Sequence, residues 1–101
     1  MGVRLILPLF KKSEDWTGEP SDFHGKGGPM TISLPTELHF IDIAAQQAAQ
    51  DYGIPYKSDM NGIAPGSVSP TSMTIKNGVR CSAFTAYLKP VLNHKNLTLI
   101  T

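Results

Sequence analysis

Cysteine is nearly absent: Cys81 stands alone in 101 residues. No intrachain disulfide can form, and the usual staple of a small secreted domain is missing. Charge is also sparse, at 17% of residues against a typical value of about 25%. The nine basic and eight acidic side chains nearly cancel, so bulk charge recruits neither nucleic acid nor an anionic membrane. So little charge leaves a weakly hydrophilic surface, of the kind that the rest of a larger protein covers. No long apolar run is present either. The stretch Val3 to Phe10 contains Pro8, runs straight into Lys11 and Lys12, and lacks a small-residue cleavage pattern. It is neither a signal peptide nor a membrane span, and no compartment is indicated.

What is there reads as one domain's worth of alternating elements. Leu5, Ile6, Leu9 and Phe10 have helical spacing, with Pro8 expected in the first turn. Residues 13 to 29 carry Gly18, Pro20, Gly25, Gly27, Gly28 and Pro29, a breaker density that predicts a long loop without regular structure. Met30 to Leu34 alternates apolar and hydroxyl side chains like a half-buried strand, closed by Pro35. Leu38, Ile41, Ala45, Ala48 and Tyr52 predict a helix from about Thr36 to Tyr52, with Gly53 as its C-terminal cap. Irregular backbone is expected from Ile54 to Pro70, including Pro55, a turn at Asn61-Gly62, Pro65 and Gly66. Alternation returns from Thr71 to Lys76, and Asn77-Gly78 marks a second turn. Ser82 is placed to cap a helix with Phe84, Tyr87, Leu88 and Val91 on its apolar face, ended by Pro90. Leu97 to Thr101 predicts a buried strand running into the chain terminus, which suggests truncation. The order of elements is that of an α/β to α+β fold.

Several of these stretches resemble the N-terminal region of the glucose-methanol-choline oxidoreductases. They are Leu7-Pro8-Leu9-Phe10-Lys11-Lys12-Ser13-Glu14 and, more specific, Phe23-His24-Gly25-Lys26-Gly27-Gly28-Pro29-Met30. Gly53-Ile54-Pro55-Tyr56, Asp59-Met60-Asn61-Gly62, Asn77-Gly78-Val79-Arg80-Cys81-Ser82, Ala86-Tyr87-Leu88-Lys89-Pro90 and Asn96-Leu97-Thr98 come next, in the family's order. The resemblance runs from about Leu5 to Thr101. It implies a parent enzyme that binds FAD and oxidises an alcohol, with hydride passing to the flavin while a base takes the hydroxyl proton. By the same resemblance residues 1–101 are a partial N-terminal domain. They would span parts of a Rossmann-like FAD-binding domain and of an antiparallel-sheet substrate domain. Residues 30–34 and 71–76 would fall on the substrate side, and 97–101 on the flavin side.

The chemistry-bearing parts are not in this stretch. A pyrophosphate needs a glycine-rich turn between a strand and a helix, and no GxGxxG occurs here. Gly25-Lys26-Gly27-Gly28 comes after no predicted strand and opens no helix, so it reads as a structural loop and not as a phosphate cradle. The family's catalytic histidine lies beyond the last residue, so no catalytic residue and no bound FAD are expected for the chain by itself. His24, His39 and His94 fit no metal spacing; His24 matches a family loop histidine and is expected to hold that loop. Cys81 reads as a small buried side chain. Asn96-Leu97-Thr98 is a formal glycosylation sequon that the predicted buried strand argues against. Arg80 and Ser82 read as structural, a guanidinium tying loop groups together and a helix cap. Asn61, Ser72 and Thr74 are the substrate-cavity candidates, Ser72 replacing a glutamine common in relatives. Two readings are open: a portion of a flavin-linked alcohol oxidoreductase, or a short non-catalytic product or gene fragment acting, if at all, as a binding module. Flanking coding sequence discriminates between them.

Overall fold

The computed structural model describes residues 3–62 and 66–100. Pro65 and Thr101 lie outside the described residues. The first helix, α1, spans Val3–Ser13. Its basic last turn, Lys11 and Lys12, faces the negative end of the helix dipole. Pro8 lies in the middle of α1 and not in the first turn, because the helix already begins at Val3. A proline there removes one ladder hydrogen bond and leaves the other bonds of the helix available.

The stretch after α1 corrects the expected featureless loop. Glu14–Trp16 forms strand β1, paired in parallel with β2, Met30–Ile32, in the register Glu14 to Met30 and Trp16 to Ile32. Local composition could not show this pairing, because β1 gains its partner only when the intervening glycine-rich loop folds back. That return depends on Gly25 and Gly28. A Cβ on Gly25 would overlap the Lys11 carbonyl, and one on Gly28 would sit 2.5 Å from the Ser13 carbonyl carbon.

Ser33 continues β2 by exchanging both backbone hydrogen bonds with Met73, each 2.8 Å. The Ser33 hydroxyl also donates to the Ile75 carbonyl at 3.1 Å. Ile75–Lys76 (β3) then pairs antiparallel with Val79–Arg80 (β4). Asn77 and Gly78 have φ of 51° and 75°, the two left-handed positions that a tight two-residue hairpin requires.

The second helix, α2, spans Phe40–Asp51, starting later than Thr36. His39 is its N-cap and accepts from the Ile41 N–H through Nδ1 at 3.4 Å, so Leu38 precedes the helix. Its C-terminus closes as a Schellman motif: Gly53, at φ 95°, donates to Gln50 and Ile54 donates to Ala49, both at 2.9 Å. The helix contains no buried residue. The face expected to be buried is open, with Ile41 59% and Tyr52 88% exposed.

Ser82 caps the next helix, its hydroxyl accepting from the Thr85 N–H at 3.2 Å. That helix is π-helical over Phe84–Leu88 and tightens to a 3-10 turn at Lys89–Val91, where Pro90 lies. Ala86 is its buried residue, while Phe84 and Tyr87 are about half exposed. Residues 97–100 form no strand and are exposed. Strand propensity alone does not make a strand without a neighbour to accept its backbone hydrogen bonds.

The apolar core among the described residues is Trp16, Cys81 and Ala86. Accessible surface is 8070 Å², against about 5,600 Å² for a compact monomer of this mass. The radius of gyration is 16.9 Å, against about 13 Å for a compact chain of this length. Much of the apolar surface is therefore uncovered by these residues, in keeping with the sparse charge. Gly25→Ala is expected to lower stability by about 2 kcal/mol or more, because the clash is with backbone. Gly53→Ala, strained but with open space around it, is expected to lose about 1 kcal/mol; urea midpoints of the two variants measure the difference.

Candidate functional site

The most strongly organised group of polar side chains lies where α1 ends and β1 begins. His24 is 8% exposed and stacks on Trp16, the ring centroids 4.1 Å apart and the planes 9° from parallel. Its Nδ1 lies 3.0 and 3.1 Å from the two carboxylate oxygens of Glu14. Its Nε2 lies 3.0 Å from Oδ2 of Asp59. One imidazole thus joins β1 to a segment 35 residues further along the chain.

The glycine loop completes the arrangement. The Gly25 N–H donates to Glu14 Oε2 at 2.8 Å and the Gly27 N–H to Asp15 Oδ1 at 3.0 Å. The Gly28 N–H donates to the Glu14 carbonyl at 3.0 Å. Lys26 Nζ donates to the Trp16 carbonyl at 2.7 Å and lies 3.8 Å from Asp15. The amides that an anion would need are already used by the chain's own carboxylates and carbonyl. Those two carboxylates also place negative charge beside the loop. The loop does not fit the pyrophosphate of a dinucleotide.

Beside His24 a cleft of about 420 Å³ opens, lined by Leu7, Phe10, Phe23, Met30 and Ile32, with Ser13, Glu14, His24 and Asn61 as polar groups. A larger groove of about 580 Å³ runs along the strands between Thr17, Ser33, Glu37, Met73 and Ile75. The cavity candidates are not brought together. Asn61 lines the first cleft, its N–H held by Asp59 Oδ1 at 2.9 Å. Ser72 and Thr74 alternate with Met73 and Ile75, which line the second groove. Thr74 is exposed and its carbonyl accepts from Cys81 N–H at 2.8 Å. Arg80 is exposed on β4.

Cys81 is 5% exposed, with Sγ 3.8 Å from the Pro29 carbonyl. No group of His, Cys, Asp and Glu that could hold a metal occurs among the described residues. No helix among them is long and apolar enough to cross a membrane. Asn96 is exposed and lies outside any strand, contrary to the burial that argued against its sequon.

Sequence reasoning singled out His24 but passed over Glu14, Trp16 and Asp59. The signal was there: Glu14 closes one distinctive motif and Asp59 opens another, while His24 stands second in a third. Two acceptor-only side chains beside a histidine in such motifs are candidates to hold it.

No protein-family model matches the chain. Individual proteins match nearly all of it. The oxygen-dependent choline dehydrogenase of Vibrio vulnificus (strain YJ016) is 32% identical over 96 residues, 93% of this chain and 17% of that protein. The mitochondrial choline dehydrogenase of Homo sapiens is 36% identical over 91 residues, 90% of this chain and 15% of that protein. In three dimensions, pyridoxine 4-oxidase from Mesorbium loti superposes with a TM-score of 0.89 at 36% identity, over 99% of this chain and 20% of that one. The mixed helices and small sheets are those of a region within large oxidoreductases. The chain is homologous to one region of the glucose-methanol-choline oxidoreductases, and it spans about a sixth of the length of the curated relatives it matches.

Removing the central imidazole leaves Glu14 with the Gly25 N–H and Asp59 with the Asn61 N–H as their remaining donors among the described residues. His24→Ala is expected to cost about 2 kcal/mol, within the range for partly buried acceptors that lose a hydrogen-bond partner. Chemical denaturation of the variant against the parent chain measures it.

Proposed function

We propose that this chain is part of an FAD-dependent oxidoreductase acting on the CH–OH group of an alcohol donor. The observation that carries the reading is the match to choline dehydrogenases and to pyridoxine 4-oxidase over at least nine-tenths of the chain. When bound, FAD would supply the hydride acceptor. In this reading FAD is held by residues other than the glycine loop, whose amides are taken by Glu14, Asp15 and the Glu14 carbonyl.

The chain's own residues shape the protein around that chemistry. Glu14 and His24 brace the corner of α1 and β1, Asp59 ties residues 57–62 to it, and Asn61 is carried on the rim of the adjoining cleft. Asn61, Ser72 and Thr74 are proposed as substrate-side positions, in two separate places. The residues 30–34 and 71–76, joined through Ser33 and Met73, are proposed as the substrate-side sheet. Residues 97–100, uncovered here, are proposed to complete their pairing against the flavin-side sheet.

Gel filtration after incubation with FAD tests the reading. The 101-residue chain is expected to retain no flavin absorbance. A longer protein that contains it is expected to hold FAD stoichiometrically and to lose the oxidised-flavin absorbance when an alcohol is added without oxygen. Flavin on the 101-residue chain would overturn the assignment of the glycine loop. A longer protein without flavin would overturn the enzyme reading in favour of a binding module.

A further inference from the structure

Residues 57–62 form a strap that borders the cleft beside His24 through Asn61. Among the described residues, the hydrogen bond that joins this strap to the α1–β1 corner is the one between Asp59 and His24. The same carboxylate organises the strap itself, since its other oxygen accepts from the Asn61 N–H. The strap's anchor on its far side is the Lys57 N–H, which donates to the Val68 carbonyl at 3.0 Å. We propose that the Asp59–His24 contact is a proton-dependent latch that closes this strap over the cleft.

The argument is one of donors and acceptors. An ionised carboxylate only accepts, and His24 faces one at each ring nitrogen, so both nitrogens must donate. A neutral imidazole has a single N–H. When one proton passes to solvent base, the two sides are not equivalent. Nδ1 faces both oxygens of Glu14, and Glu14 is itself held by the Gly25 N–H. The remaining proton therefore stays on Nδ1. Nε2 is left with a lone pair turned toward Asp59 Oδ2 at 3.0 Å, a repulsive contact in a poorly solvated place. The strap then loses its hold on the corner, and access to the cleft widens.

Other charged groups near the corner are engaged elsewhere. Lys26 donates to the Trp16 carbonyl and lies beside Asp15. Lys11, from α1, donates to the Asp22 carbonyl at 3.2 Å. Asp22 is exposed on the turn before His24, and Lys57 is exposed on the strap. Glu14 from β1 and Asp59 from the strap are the groups that face the ring. The latch is closed while the ring carries both protons and opens as pH rises and the second is lost. This inference does not depend on the proposed enzyme activity.

NMR on the full 101-residue chain tests it, tracking the His24 ring carbons and the nuclear Overhauser contacts between the His24 ring protons and residues 59–61. His94, which is exposed, serves as the control ring. The pH is raised from about 5 until His24 has lost its second proton. Those Overhauser contacts are expected to weaken about threefold or more in step with that loss. In Asp59→Asn the amide nitrogen can donate to a bare Nε2 while its oxygen keeps the Asn61 N–H, so the contacts are expected to persist after the proton is lost. Contacts that stay level in the parent chain while His24 titrates overturn the latch. So does an equal loss in Asp59→Asn, or a ring already neutral at the acid end with the contacts intact.

Discussion

Two carboxylates converge on one imidazole, and the rest of this structure is arranged around that convergence. His24 is pressed flat against Trp16, the chain's single tryptophan, and is reached by Glu14 on one edge and Asp59 on the other. The ring needs both partners because a buried polar edge left unsatisfied is costly. Each partner in turn fixes backbone: Glu14 holds the Gly25 amide, and Asp59 holds that of Asn61. A single ring thereby ties together the end of α1, strand β1, the glycine loop and the strap 57–62.

The glycines are the other half of the same arrangement. The loop returns so closely to α1 that Gly25 and Gly28 touch backbone where any side chain would stand. A motif that resembles an anion cradle in composition is turned inward, its amides spent on neighbouring acidic groups. What it supports is the parallel pairing of β1 with β2, and with it the burial of Trp16. The strands then pass the order on through Ser33 and Met73 to the hairpin at Asn77-Gly78.

Beyond that centre the chain covers little of itself. The exposed Phe40, Ile41 and Ile43 of α2 and the exposed Leu99 and Ile100 are apolar surfaces left largely open by the described residues. This agrees with a chain that spans about a sixth of its curated relatives. Helix α2 separates two kinds of information carried by one apolar pattern. Its spacing correctly foretold a helix, and Gly53 its end, because both depend on local backbone chemistry. The same spacing foretold a buried face, which requires a partner, and the described residues do not supply one.

Turns, caps and the family resemblance were legible in the residues alone. The Asn77-Gly78 hairpin needs left-handed backbone, Ser82 offers an oxygen to an unpaired N–H, and the spaced motifs from Leu7 to Thr98 are too specific for chance. Each of these depends on residues close together in the chain or on identity at fixed positions. Strand β1, the inward use of the glycine loop and the meeting of Glu14, His24 and Asp59 were decided by tertiary structure. They join residues up to 35 positions apart, and no local propensity records which distant carboxylate a histidine will meet. The failed strand at 97–100 makes the same point in reverse, since a strand exists only when another backbone is there to receive its hydrogen bonds.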